Sequence, residues 1–173
     1  MSTSAVKIYT TSKALKKIQI ACDSQMHDSQ KKYLDGLGRS KMIETKDWII
    51  TRVGATRIGV MLEHYAKQPT SGLKGVFSWW LKFQEYLINE AKIKLHRDDG
   101  DELLLVDKKE KRVYLLSGKD YISEIKEFHA IGSGEPYAIA ALELGKSPKE
   151  AVEIASKYDL YTGGEVKTIE IIR

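Results

Sequence analysis

The sequence predicts an α+β protein with two mainly antiparallel sheets and helices on their outer faces. Three observations lead there. Strand-like and helix-like segments come in blocks, namely strands, two helices, strands, two helices and a last strand, and a doubly wound parallel sheet would alternate them one by one. The helical segments carry their apolar residues as a stripe, so each has one face to lay on a sheet. The chain of 173 residues, 42% hydrophobic and 30% charged, suits one domain over residues 1–173 with a substantial core, and it holds no internal repeat or linker.

Ser4 to Thr10 reads as the first strand, and Ile18 to Cys22 as its partner, with Ile18, Ile20 and Cys22 on one face. Thr11 to Lys17 is a polar, basic connection between them. Asp23 ends the second strand, and Ser24 to Ser40, polar and containing Gly36 and Gly38, reads as a long loop. Lys41 to Ile43 and Trp48 to Val53 form a second strand pair around Glu44 to Asp47. Gly54-Ala55 then turns into a helix whose stripe is Ile58, Met61, Leu62 and Tyr65. Gln68 to Gly72 breaks it. A longer helix, Val76 to Leu95, carries Phe77, Trp79, Trp80, Phe83 and Leu87, an aromatic stripe that suits packing on a sheet better than a ligand box. Leu103 to Val106 and Val113 to Leu116 make a hairpin around the charged turn Lys108 to Lys111.

The most informative stretch is Ala130-Ile131-Gly132-Ser133-Gly134-Glu135-Pro136-Tyr137-Ala138. It reads as a strand end, a tight Gly-Ser-Gly turn with its amides facing outward, and the first turn of a helix, where Pro136 is tolerated because its missing N–H has no partner there. Ser133 therefore stands at a helix N-terminus that favours developing negative charge. Tyr137 to Leu144 is helical and Gly145 ends it. Ser147-Pro148-Lys149-Glu150 combines a capping box with Pro at the first helical position and opens a helix through Tyr158. Gly163-Gly164 precedes the last strand, Val166 to Ile172.

Composition narrows the function. The net charge of +4 is small and its signs are interleaved, which argues against a nucleic-acid partner. No apolar run approaches the ~18 residues of a membrane span, so no membrane partner is expected. The single Cys22 excludes an internal disulfide framework and fits a reducing compartment; with a polar N-terminus that lacks a secretory signal, the expected location is cytoplasmic. Gly145-Lys146-Ser147 resembles the end of a phosphate loop, but Ala140 occupies the first glycine position and a helix precedes it. The histidines at 27, 64, 96 and 129 lack ligand spacing, so neither metal nor cofactor is expected.

Taken together, these segments resemble the proteasome β-subunit and HslV peptidase family, the N-terminal-nucleophile hydrolases, over nearly the whole chain. Ala130 to Gly134 with Tyr137-Ala138 is similar to the family's Gly-Ser-Gly turn and helix, and Tyr158-Asp159-Leu160-Tyr161-Thr162-Gly163-Gly164 to its Arg-Asp-x-x-Ser-Gly-Gly segment. Asp23 and Lys41 match the family's aspartate and lysine, and Val53-Gly54-Ala55 its oxyanion turn. The resemblance implies a four-layer αββα sandwich and a serine- or threonine-type endopeptidase working inside a homo-oligomeric ring. It also implies polypeptide substrates and an ATP-dependent unfoldase as feeder.

The site it implies has Ser2 as nucleophile and Lys41 beside its hydroxyl, with Asp23 paired to Lys41 and keeping it charged. Gly54 is the oxyanion donor, and Ser133, Asp159 and Thr162 support the α-amine. An ungapped match of the first strand puts Met1 at the nucleophile position, and a bulge in that strand would bring Ser2 there. Ser2 is small enough for Met1 to be removed, so no propeptide is required. The alternative is a catalytically silent structural or assembly subunit, for example of a virus particle. The polar set Asp23, Lys41, Ser133 and Asp159 favours the peptidase. For ring contacts, the helix bearing Trp79 and Trp80 is expected to lend aromatic surface to a neighbour.

Overall fold

The computed structural model describes residues 2–10, 16–27, 32–33, 41–65, 67–93, 101–118 and 120–172. Met1, the 11–15 connection, Gly36, Gly38 and the 94–100 stretch containing Leu95 and His96 lie outside the described residues. One sheet contains β1 (Thr3–Thr10), β2 (Lys16–Asp23), β10 (Phe128–Gly132) and β11 (Val166–Ile171) in the order β10-β1-β2-β11, all neighbours antiparallel. The other runs in sequence order through β5 (Met42–Glu44), β6 (Trp48–Val53), β7 (Glu102–Asp107), β8 (Arg112–Ser117) and β9 (Tyr121–Ile125), again antiparallel. Inside the stretch that reads as a long loop, β3 (Met26–His27) and β4 (Lys32–Tyr33) form a short ladder of their own.

Helices cover the outer faces. The five-stranded sheet carries α1 (Thr56–His64) and α2 (Leu73–Asn89), and the four-stranded sheet carries α3 (Glu135–Glu143) and α4 (Pro148–Tyr158), which gives four αββα layers. Because both faces of the five-stranded sheet are covered, every residue from Leu103 to Val106 is buried. Leu104 and Val106 meet Val6, Ile18, Ile20 and Ile131 of the facing sheet, while Leu103 and Leu105 meet the helices, so the strand reads as a continuous apolar run.

The two helix layers are built differently. Under α3 and α4 the contacts are Ala5, Ala21 and Ala130 against Ala138, Ala141, Ala151 and Ala155, small side chains that bring helix close to sheet. The capping box starts α4 as expected, with Ser147 Oγ accepting from Glu150 N and the Glu150 carboxylate accepting from Ser147 N. On α2, Val76, Trp79, Trp80, Phe83 and Leu87 form the buried stripe, each side chain contributing roughly 1.5–3 kcal/mol on burial.

Trp79 and Trp80 are core residues packed against Phe83, as the aromatic stripe predicts, and the exposed large apolar residues of α2 are Leu73, Leu81 and Ile88. Three expectations need correction. Helix α2 runs from Leu73 to Asn89, starting and stopping earlier than its periodicity suggests. β9 was not expected: it is a half-buried edge strand with Ser123 and Glu124 in it, and its apolar signal is correspondingly weak. Finally, β1 pairs with β10 from Thr3 and with β2 from Ser4 in unbroken register, so no bulge interrupts the first strand over these residues.

Candidate active site

The start of β1 lies at one end of the sandwich, and turns from both sheets converge on it. Thr3 pairs with Gly132. Gly132 adopts φ +97°, and a Cβ there would stand 1.8 Å from the Ser2 carbonyl oxygen, so only glycine lets the two chains approach this closely. The turn's amides do not face outward as expected. Ser133 N donates to Ser2 O at 3.0 Å and Gly134 N donates to Thr3 Oγ1 at 3.1 Å. The turn therefore grips the backbone and side chain of residues 2 and 3 and is no open anion cradle.

Asp23, at the end of β2, faces the same point. Its Oδ1 accepts from Thr3 N at 3.0 Å and from Lys41 Nζ at 2.9 Å, and its Oδ2 accepts from Gly163 N at 3.0 Å. Lys41 Nζ also donates to the Gln25 carbonyl. Pairing at the start of β5 carries Lys41 into place, with Arg52 N donating to its carbonyl. The Lys41 and Asp23 side chains are 3% and 0% exposed, so this is a fully desolvated ion pair. Burial pushes the Asp23 carboxyl above its ordinary value, opposed by Lys41 and the two amides. Burial likewise draws the Lys41 ammonium below its ordinary value, opposed by Asp23. The neighbouring Cys22 thiol is pushed up to about 12, chiefly by burial, and is chemically quiet.

Beyond Thr3 the hydroxyls form a directed chain. Thr162 Oγ1 donates to Asp159 Oδ2, so it accepts from Thr3 Oγ1, 2.6 Å away. Ser133 Oγ donates its single proton to the same Asp159 oxygen at 2.7 Å and keeps its lone pairs for another donor. Ser2 is itself buried, 6% exposed, two residues ahead of Ser4 on a strand whose even-numbered residues face the other sheet.

Gly54 comes from that other sheet. It has φ +104° and follows Val53, whose Cγ1 lies against Gly132. Ala55 N donates to Asp101 Oδ1 at 2.7 Å, which pins the turn. Ser2, Asp23, Lys41, Ser133, Asp159 and Thr162 are thus joined through hydrogen bonds to residues 2 and 3, whereas the link of Gly54 to them is packing through Val53. Among the described residues, no cluster of His, Cys, Asp or Glu is arranged to hold a metal ion.

Sequence reasoning missed Thr3, the hub of this network, together with Gln25, Asp101 and Glu102. Thr3 could have been found by extending the strand alternation one step before Ser4. Glu102 accepts from Gly132 N at 3.1 Å, and burial, aided by nearby Glu135, raises its carboxyl above the usual range against the pull of the Gly132 amide. Nothing in the spacing of Asp101 and Glu102 marks them as neighbours of residue 132.

No protein-family model matches this chain, and no curated protein sequence does. Among solved structures it is similar to BPH, a bacterial proteasome homologue of Thiobacillus denitrificans, in complex with epoxomicin: TM-score 0.85, 17% identity, 98% of each chain covered. BPH alone superposes with TM-score 0.83 at 17% identity, covering 98% of this chain and 97% of that one. The eukaryotic HslV of Trypanosoma brucei gives TM-score 0.67 at 12% identity, covering 98% and 99%. The chain shares the fold of these proteins.

Proposed function

We propose that residues 1–173 form one N-terminal-nucleophile hydrolase domain, a peptidase subunit that cleaves polypeptides inside a ring of its own copies. The observation that carries this reading is Asp23, whose one carboxylate holds both the Thr3 amide and the Lys41 ammonium beside residue 2. A fully buried ion pair is costly to build and weak as a source of stability, so its place against the Thr3 amide and the hydroxyl network there favours a chemical use. The fold shared with proteasome-like and HslV proteins supports the same class.

In this reading Met1 is removed and Ser2 presents a hydroxyl and an α-amine on one residue. The amine, titrating near neutrality, takes the hydroxyl proton as Oγ bonds to the substrate carbonyl carbon. Gly54 N–H stabilises the resulting oxyanion, a contribution of roughly 3 kcal/mol for one such donor. Collapse breaks the C–N bond, and the leaving amine carries off the proton and leaves an ester on Ser2. Water then attacks the ester, gives its proton to the α-amine, and Oγ departs by taking that proton back. Lys41 supports the developing charge on Oγ, and the lone pairs of Ser133 Oγ, left by its donation to Asp159, receive the α-amine. The supply of polypeptide by an ATP-dependent unfoldase and a cytoplasmic setting belong to the same proposal.

Intact mass and peptide hydrolysis test it together. The expected result is loss of Met1, turnover by the wild type, one epoxomicin adduct mapping to residue 2, and none of this turnover in Ser2→Ala. A retained Met1, or hydrolysis indifferent to Ser2, would transfer the chain to the silent structural subunit.

A further inference from the structure

Two glycine turns, one from each sheet, meet beside residue 2 where Val53 packs on Gly132, and consecutive carboxylates hold them. Asp101 Oδ1 accepts from Ala55 N at 2.7 Å, and a Cβ on Gly54 would lie 2.8 Å from the Asp101 Cα, so this turn rests directly on residue 101. The next residue, Glu102, opens β7 opposite Val53. It lies on the same face as Leu104 and Val106, the face toward the other sheet. Its Oε2 crosses the gap and accepts from Gly132 N at 3.1 Å, while Oε1 lies 3.4 Å from Ser117 Oγ of β8. Gly132 is the residue whose close approach to Ser2 O excludes any side chain, and the following amide, Ser133 N, holds that same oxygen.

We propose that Asp101 and Glu102 are positioning residues that form a brace between the sheets, fixing the Gly54 turn against the Gly132 turn beside residue 2. Adjacent Cα atoms are about 3.8 Å apart, so two turns tied to neighbouring residues cannot shift independently. The brace rests on the reading of residue 2 as nucleophile: its role is to keep the oxyanion donor and the nucleophile's backbone at one separation. A misplacement of about 1 Å at such a site is enough to cost a hundredfold in rate. Neither carboxylate touches the reacting atoms.

The test uses Asp101→Ala, Asp101→Asn, Glu102→Ala and Glu102→Gln in the full chain, with two readouts. In peptide hydrolysis each alanine variant is expected to lose about tenfold or more in kcat, with KM within about twofold. Asn and Gln, which keep an acceptor oxygen, should recover most of that loss. In amide hydrogen exchange, Glu102→Ala should speed exchange about tenfold at Gly132 and also measurably at Ala55, and Asp101→Ala the converse. Exchange that changes only at the amide each carboxylate contacts, or alanine variants with wild-type kcat, would overturn the brace. Wild-type enzyme without turnover would overturn the nucleophile reading instead, and the cross-effect in exchange still decides the brace.

Discussion

Replacing Lys41 with Met removes the cation and keeps most of the volume, which isolates the electrostatics of the buried pair. Asp23 then loses one of three donors and retains the Thr3 and Gly163 amides at 3.0 Å each. Breaking a buried pair by removing one partner costs about 3–5 kcal/mol, and the two surviving amides place this variant near the lower end, about 3 kcal/mol. That is a large part of the roughly 5–15 kcal/mol that holds a domain together. The sign with pH follows from Asp23, whose folded pKa is raised by burial. An acid with a raised folded pKa costs stability above that pKa, and the cost is relieved as pH falls toward its unfolded value of about 4. Loss of Lys41 raises it further, so the deficit of Lys41→Met against wild type should be largest at neutral pH and shrink on acidification. Asp23→Asn should behave oppositely, because the Lys41 pKa is lowered by burial and its cost is relieved as pH rises. Urea denaturation at about pH 5, about pH 7.5 and about pH 9.5, with m-values compared, follows the first trend on the acid side and the second toward the alkaline end. A Lys41→Met deficit under about 1 kcal/mol at neutral pH, or one that does not shrink on acidification, would refute the argument.

Other substitutions test separate parts of the site. Thr3→Val should cost about 1–3 kcal/mol in thermal denaturation, since Gly134 N and Thr162 Oγ1 lose their shared partner, and Thr3→Ser should restore most of it. Gly132→Ala places a methyl 1.8 Å from Ser2 O at a positive φ, so a loss of more than about 2 kcal/mol is expected. Gly145→Ala, also at positive φ but with open space around it, should cost only about 1 kcal/mol; equal effects at the two sites would contradict the close approach. Light scattering should find a ring-sized oligomer, and a monomer at every workable concentration would remove the ring.

Much of this arrangement is legible before folding, because local rules set it. The block order, the Ser147–Glu150 capping box, the alternation of Ile18, Ile20 and Cys22, and the helical stripe of Trp79, Trp80 and Phe83 follow from periodicity and caps over a few residues. Asp23 and Lys41 could be singled out only through their resemblance to family positions, and the structure joins them as a pair.

Contacts between distant segments are a different matter. The register that puts Thr3 against both Gly132 and Asp23 comes from β1 lying between β10 and β2, and no local pattern specifies which strand pairs on either side. An ungapped match puts Met1 at the nucleophile position; the structure adds that Asp23 binds the Thr3 amide and that the strand carries no bulge from Thr3 onward. Asp101 and Glu102 gain their partners only when two sheets stack, because the inward face of one strand meets a turn of the other across the layer. Such pairings depend on how whole sheets pack, and the residues involved carry no signature at their own positions in the chain.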